Sequence, residues 1–146
     1  MMVKNMGILS AASFASVVRG YDYYKGKKVI SWERINDHVF AGEVEGSYRN
    51  SYQVVIDVEH PRKSTCNCPH AEGKMIVCKH KVALFFTVFP NEAEEFIKEV
   101  EAYEKEQEEL RQERYDEVRK YVNSLSKAEL REALFNKLTE EEDDYY

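Results

Sequence analysis

Residues 66–80 read CNCPHAEGKMIVCKH and contain all three cysteines of the 146-residue chain. Three thiolates and one imidazole form the tetrahedral ligand set of many structural zinc sites, with Zn–S and Zn–N bonds of about 2.3 and 2.0 Å. We therefore predict one structural Zn²⁺ ion bound by Cys66, Cys68, Cys78 and His80. Four protein ligands leave no position for substrate or a reactive water, which disfavours a catalytic zinc.

Disulfide bonding and redox chemistry suit these cysteines less well than zinc does. An odd number of cysteines, two of them separated by a single residue, is poor material for a disulfide framework. The C-x-C spacing also differs from the C-x-x-C of thioredoxin-like redox motifs. His60 and His70 are interpreted as solvated loop residues, and the sequence leaves open whether either of them assists the metal.

The order C-x-C, variable loop, C-x-H resembles the SWIM zinc finger. Residues 66–69 (CNCP) enter the loop and residues 78–84 (CKHKVAL) leave it in the same way. Residues 19–29 and 44–54 are similar to the strands that precede the finger in small bacterial members, and residues 125–131 to a short helix that often closes them. The resemblance implies a zinc-stabilised interaction module, of the kind found with Swi/Snf-type helicases and MuDR-type transposases, that binds DNA or proteins.

Length and composition favour one small core with an appendage. Of the 146 residues, 43% are hydrophobic and 33% are charged, so a third of the chain must stay outside that core. The reduced thiols that zinc requires point to the cytosol or nucleus and not to an oxidising compartment, and we predict a cytoplasmic protein. No stretch approaches the roughly 20 apolar residues of a membrane span, and we expect no membrane partner.

Periodicity predicts an α+β fold that begins with a small antiparallel β-meander. We expect a helix over residues 10–19, ended by Gly20, and strands over residues 29–35 and 38–44 joined by a tight turn at Asn36-Asp37. Alternation over residues 52–59 predicts a third strand with one buried face. A fourth strand near residues 63–65 would deliver Cys66 and Cys68 to the metal from the same side.

Helices follow the sheet. Cys78 is expected at a helix entrance with His80 in the first turn, so that zinc clasps this helix, which ends at Pro90. A capping pair of Asn91 and Glu94 then predicts a long amphipathic helix, and a capping box of Ser126 and Glu129 a short C-terminal helix through Leu138. We assign residues 1–90 to the sheet and finger, 91–139 to a helical extension and 140–146 to an acidic tail.

Charge separates two candidate functions. Residues 1–90 hold twelve basic and eight acidic residues, a net +4, while residues 91–146 hold nine and nineteen, a net −10. A protein partner, such as a helicase-like ATPase, would dock on the acidic helix and the sheet edge. A nucleic acid would instead contact five basic residues around the finger through its phosphates. A general contribution of these charges to solubility explains their presence equally well. The five residues are Arg62, Lys63, Lys74, Lys79 and Lys81.

Two further expectations concern chemistry. Tyr21, Tyr23 and Tyr24 could stack bases, but we favour the interpretation that they seal the edge of the sheet, since aromatic residues favour strands. Acids, bases and nucleophiles do not converge visibly, so we expect neither an enzyme nor a small-molecule substrate. The chain is predicted to act as an adaptor or subunit.

Overall fold

The computed structural model describes residues 6–143 of the chain. They form two compact units, and the division falls between Ile97 and Lys98. The predicted α+β class is confirmed. The elements are α1 (Met6–Ala11), α2 (Phe14–Lys25), β1 (Val29–Arg34), β2 (Val39–Glu45), β3 (Ser51–Asp57), a 3-10 turn (Pro61–Lys63), β4 (Thr65–Cys66), α3 (Lys79–Val88), α4 (Pro90–Ser124) and α5 (Lys127–Asp143).

The four strands form the predicted antiparallel meander in the order β1-β2-β3-β4. The turn predicted at Asn36-Asp37 joins β1 to β2 without positive φ angles, which among the described non-glycine residues occur at Lys27 and Arg49. The side-chain oxygen of Asn36 instead accepts the backbone N–H groups of His38 and Val39, at 2.9 and 3.0 Å. An Asx turn therefore starts β2.

The alternation of β3 is confirmed on its core face. Val54, Ile56 and Val58 are buried, as the period-two pattern requires. Asp57 breaks the polar side of that pattern, because its carboxylate is also buried, and its Oδ1 accepts the backbone N–H groups of Glu59 and His60. Those bonds fix the chain as it leaves the sheet.

The prediction of one helix ending at Gly20 is wrong. The chain forms α1 and then α2, whose N-cap is Ser13 and whose C-cap is Gly26. Gly20 lies inside α2 because α2 packs closely on α3, and a Cβ at Gly20 would lie only 2.4 Å from Cβ of Val82. The glycine provides a close approach between helices and not a helix stop.

The tyrosines lie in this same helix, so the prediction that they seal the sheet edge is also wrong. Tyr21 and Tyr24 pack on Phe86 of α3, each with 6.1 Å between ring centroids. Tyr23 contacts the ring of His80 edge-on, at 5.5 Å. Residues 19–25, which resemble the beginning of a strand region, are helical in the structure. In this conformation their aromatic side chains pack on α3 and shield it from solvent.

The centre of the core is α3. Its residues from His80 to Phe86 are all buried, and the helix contacts α2 on one side and β1, β2 and β3 on the other. As predicted, the helix ends just before Pro90. The beginning of α4 belongs to the same unit, where Ala93 is buried and the ring of Phe96 packs on Phe86 at 5.6 Å.

The second unit contains most of α4 and all of α5. The predicted capping pair of Asn91 and Glu94 is wrong, because Pro90 already occupies the first position of α4, where its fixed φ angle suits a helix start. The capping box of Ser126 and Glu129 is confirmed by reciprocal bonds of 2.9 and 3.2 Å. The last helix continues beyond Leu138 to Asp143, so the predicted tail is helical there, and residues 144–146 lie outside the described part.

Among the helices of residues 6–143, none combines the length and the apolar character that a bilayer crossing demands.

The close approach at Gly20 gives a test of the packing between α2 and α3. We expect Gly20→Ala to lower the free energy of unfolding by about 1–3 kcal/mol, because the new methyl overlaps Val82 and the two helices must separate. At an exposed helix position the same change would raise stability by about 1 kcal/mol. Urea unfolding of the whole chain measures the difference.

Val82→Gly provides the matched second change, because it removes both atoms that a methyl at residue 20 would overlap, Cβ and Cγ1 of Val82. In the double variant the new methyl of residue 20 occupies space that the valine side chain vacates, so the two costs should be less than additive by more than about 0.5 kcal/mol. A stabilised Gly20→Ala, or two strictly additive costs, would contradict the close packing.

Candidate metal centre

Two segments of the chain bring the predicted ligands together. Cys66 lies in β4, where it pairs with Val54 of β3. Cys68 follows in a turn, and its own carbonyl accepts the backbone N–H groups of Ala71 and Glu72. The side chain of Asn67 accepts the N–H of Gln53 at 2.8 Å and so ties the C-x-C segment to the sheet.

The second pair belongs to the start of α3. Cys78 is the N-cap residue, with φ −81° and ψ 171°, and His80 lies in the first helical turn, as predicted. At this position a thiolate faces the positive end of the helix dipole. The helix start therefore supplies two donors and a favourable potential for negatively charged sulfur.

The four donor atoms all lie within 4.8 Å of one another. Each of the four residues is at most 4% exposed. The sulfurs of Cys66 and Cys78 are both 3.8 Å from Nδ1 of His80. Sulfur and nitrogen ligands of one tetrahedral zinc are about 3.5 Å apart, so the arrangement fits a bound ion, with Nδ1 as the donor nitrogen.

The surroundings of His80 identify its two nitrogens. Nδ1 faces the sulfurs, whereas Nε2 is buried and has no hydrogen-bond partner among the described residues. The ring lies between the aromatic rings of Tyr52 and Tyr23, at 4.7 and 5.5 Å between centroids. These rings fix the imidazole by packing, in place of the carboxylate or carbonyl that usually orients a ligating histidine.

The sulfurs of Cys66 and Cys78 differ in how readily they lose a proton. The hydrogen bond from Cys66, assisted by His80 and by the backbone N–H of Lys81, holds the pKa of Cys78 well below its ordinary value. The same bond to Cys78, together with burial, raises the pKa of Cys66. The two thiols share one proton, and a divalent ion would displace it because zinc binds thiolates.

Lys81 has a different role from the predicted contact with phosphate. It is completely buried, and its amine donates to the carbonyls of Ser64 and Ile76, at 3.1 and 2.6 Å. Burial lowers the pKa of this lysine, and the charges of the three cysteines oppose that shift. Three thiolates, Zn²⁺ and a neutral imidazole carry a net charge of −1, which the ammonium group of Lys81 offsets.

The other predicted basic residues have different surroundings from one another. Arg62 and Lys63 line a groove with Glu59 and His60. Lys74 is exposed in the loop between the ligand pairs, and the amine of Lys79 lies over the ring of Tyr23, 4.9 Å from its centroid.

Neither of the histidines left open by the sequence belongs to the donor cluster. His70 and Lys79 line a small cavity beside Cys68 and Cys78, together with Arg19, which the sequence analysis did not single out. Arg19 carries no motif of its own, and only the packing of α2 on α3 brings it to this cavity. His60 lies against the ring of His38, 6.0 Å away between centroids.

Residues 52–89 match the family model of the SWIM zinc finger. The chain carries a SWIM zinc finger. The matched segment runs from β3 to the end of α3 and contains all four donors, so the family match and the buried cluster together support one structural zinc ion. No curated protein and no solved structure matched the chain.

Loss of the metal should unfold the first unit. We expect Cys78→Ala to abolish stoichiometric zinc binding and the cooperative melting of this unit, because structural zinc contributes on the order of 10 kcal/mol, as much as a small domain's whole stability. Elemental analysis and thermal melting give the two readouts. His70→Ala is the control and should keep both, whereas unchanged melting after removal of zinc by a strong chelator would contradict the assignment.

Substitution of Lys81 tests how much its buried amine and the two hydrogen bonds that it donates contribute to stability. We expect Lys81→Met to destabilise the protein by roughly 1–3 kcal/mol for each of the two carbonyls that lose their donor. Lys74→Met removes the same charge from an exposed position and should change stability by less than about 0.5 kcal/mol. Denaturant unfolding compares the two, and equal midpoints would show that the buried amine does not matter.

Proposed function

We propose that the chain is a non-catalytic, zinc-stabilised interaction module that binds a protein partner as an adaptor or subunit. The observation that carries the proposal is the contrast between its two parts. The candidate metal centre is closed and buried, with four donors for one tetrahedral ion. The helices of the second unit instead expose large apolar side chains.

We assign the zinc ion to the sulfurs of Cys66, Cys68 and Cys78 and to Nδ1 of His80. This ion would lock β4 to the start of α3 and would have no coordination position left for a substrate, which supports a structural role. Since thiolates must stay reduced to bind zinc, the cytoplasm is the compartment that we propose.

The proposed docking surface is a stripe on the exposed part of α4. Its four residues are each at least half exposed, and at 100° per residue they fall within about 80° of the helix circumference. A helix that presents such a stripe to solvent is typical of a surface that pairs with a partner. The stripe consists of Tyr103, Leu110, Val118 and Tyr121.

Charge narrows the chemistry of the partner. The stripe lies within residues 91–146, which carry a net charge of −10. A complementary partner would present an apolar groove with basic residues at its rim, since opposite charges at a rim steer association. A helicase-like ATPase with such a groove is the partner that we propose.

Nucleic acid is the second candidate, and the cavity beside the metal centre favours it. Arg19, Lys79 and Ser16 line that cavity without a carboxylate among its lining residues. The burial of Lys81 and the acidity of the second unit weigh against a continuous phosphate track. Direct binding would weaken with salt by nearly one log–log unit for each phosphate contact.

The stripe can be tested with two matched substitutions on α4. Leu110→Asp places a charge in the stripe, and Gln112→Asp places the same charge about 200° away around the helix, two residues on. Cross-linking in native cells first identifies the protein bound to residues 98–143, and the purified partner is then titrated with each variant. We expect Leu110→Asp to weaken binding by at least about tenfold and Gln112→Asp to leave it unchanged.

Circular dichroism of both variants serves as the control for retained helices. Equal affinities of the two variants, or binding of oligonucleotides but of no protein at physiological salt, would reject the protein-binding proposal.

A further inference from the structure

Several side chains of the kinds that bind metals lie near one another outside the cysteine cluster, although among the described residues only the cysteine cluster already has its donor atoms gathered around one point. They lie where the turn before β2 meets the end of β3, and a backbone hydrogen bond of 2.8 Å from Val58 to the carbonyl of His38 joins the two segments. The group contains His38, Asp57, Glu59 and His60. None of these residues belongs to the four donors of the cysteine cluster, and the inference does not depend on the proposed function.

One buried oxygen organises this group. Oδ1 of Asp57 accepts three hydrogen bonds, from Nδ1 of His38 at 2.9 Å and from the backbone N–H groups of Glu59 and His60 at 3.0 and 2.9 Å. Burial raises the pKa of Asp57, but these donors outweigh it and hold the pKa below its usual value. The carboxylate is therefore ionised at neutral pH, and Nδ1 of His38 carries the proton that it donates.

In this tautomer the other nitrogen of His38, Nε2, carries a free lone pair and can act as a metal ligand. With the proton on Nδ1, the lone pair is on Nε2, which lies 3.9 Å from Oε2 of Glu59. That separation is too long for a hydrogen bond, and two lone pairs that face each other repel. Two ligands of one tetrahedral metal, each about 2.0–2.1 Å from it, are about 3.3 Å apart, so a small rotation of the exposed Glu59 side chain would let both atoms bind a single ion.

His60 supplies the third donor. Its ring meets that of His38 edge-on, with 6.0 Å between centroids, and both His60 and Glu59 are exposed. Asp57 accepts the backbone N–H groups of both residues and so holds their backbone, while their exposed side chains have room to rotate toward a common ion.

We propose that Nε2 of His38, the carboxylate of Glu59 and the imidazole of His60 bind a second divalent transition-metal ion, with Asp57 orienting His38 from behind. A carboxylate behind a ligating histidine is a recurrent device that fixes the ring and strengthens the ligand. Two imidazoles and one carboxylate select Zn²⁺, Ni²⁺ or Cu²⁺ over Mg²⁺, which prefers oxygen ligands. Three protein ligands leave a position for water, so this ion exchanges more readily than the one held by the cysteines.

The test is a zinc titration of the full chain whose finger is already loaded. Calorimetry and elemental analysis should give two ions per wild-type chain, the second removable by a mild chelator that leaves the first in place. His38→Ala and His60→Ala should each bind one ion. His70→Ala removes an imidazole from another part of the surface and should still bind two.

Asp57→Asn distinguishes the orienting role from direct ligation. It keeps all three ligands, and we expect the second ion to bind roughly 10–100-fold more weakly while the first is retained. Retention of the first ion in each variant shows that the fold survives. A wild-type chain that binds one ion only, or His38→Ala and His60→Ala variants that still bind two, would overturn the proposal.

The alternative to a metal ion is a proton on Nε2 of His38, which would form an ion pair with Glu59. NMR of the ring nitrogens separates the two, since zinc shifts Nε2 of His38 upon titration, whereas a protonated ring shows two N–H groups at neutral pH and no response to zinc. The second pattern would reject the metal site and leave the assignment of the finger untouched.

Discussion

The position of α3 is the constraint on which the first unit depends. The helix is buried on all sides from His80 to Phe86, so no polar face directs it, and apolar burial alone would allow it to rotate about its axis or slide. Contacts at its start remove that freedom. Cys78 and His80 face Cys66 across the donor cluster, and the amine of Lys81 bonds to two carbonyls outside the helix. Metal coordination and hydrogen bonds have fixed geometry, so they orient an element that the hydrophobic effect only buries.

Charge at the same place explains how a lysine can be completely buried. An isolated ammonium group in the core would be costly, and so would three thiolates. Zinc and the cysteines together leave one negative charge, and Lys81 lies close enough for the three cysteines to oppose the effect of burial on its pKa. The helix dipole and the backbone N–H of Lys81 act on Cys78 in the same sense. The metal centre and its counter-charge are thus parts of one electrostatic unit.

The two units use their apolar residues in opposite ways. In the first, α2, the sheet and the first residues of α4 surround α3, and the aromatic side chains of α2 and α4 stack on Phe86. In the second, Leu110, Tyr121 and Phe135 remain exposed on helices rich in charge. Packing within the chain explains the buried apolar residues of the first unit but not the exposed ones of the second. We therefore assign the proposed partner to the helices of the second unit and give the zinc ion a role in stability alone.

The sequence by itself determined the features that local chemistry specifies. Cys66, Cys68, Cys78 and His80 could be selected because few other functions suit that donor set at that spacing, and β3 and the Ser126 capping box follow from patterns within eight residues. Only the tertiary structure decided the features that depend on distant neighbours. From the sequence Gly20 is interpreted as a helix stop, but in the structure it allows the close approach of Val82. Lys81 is interpreted as a surface charge, but its amine donates to the carbonyls of Ser64 and Ile76 in the interior. The grouping of His38 with Asp57 likewise arises from strand pairing. Such contacts join residues far apart in the chain, and a local pattern contains no information about them.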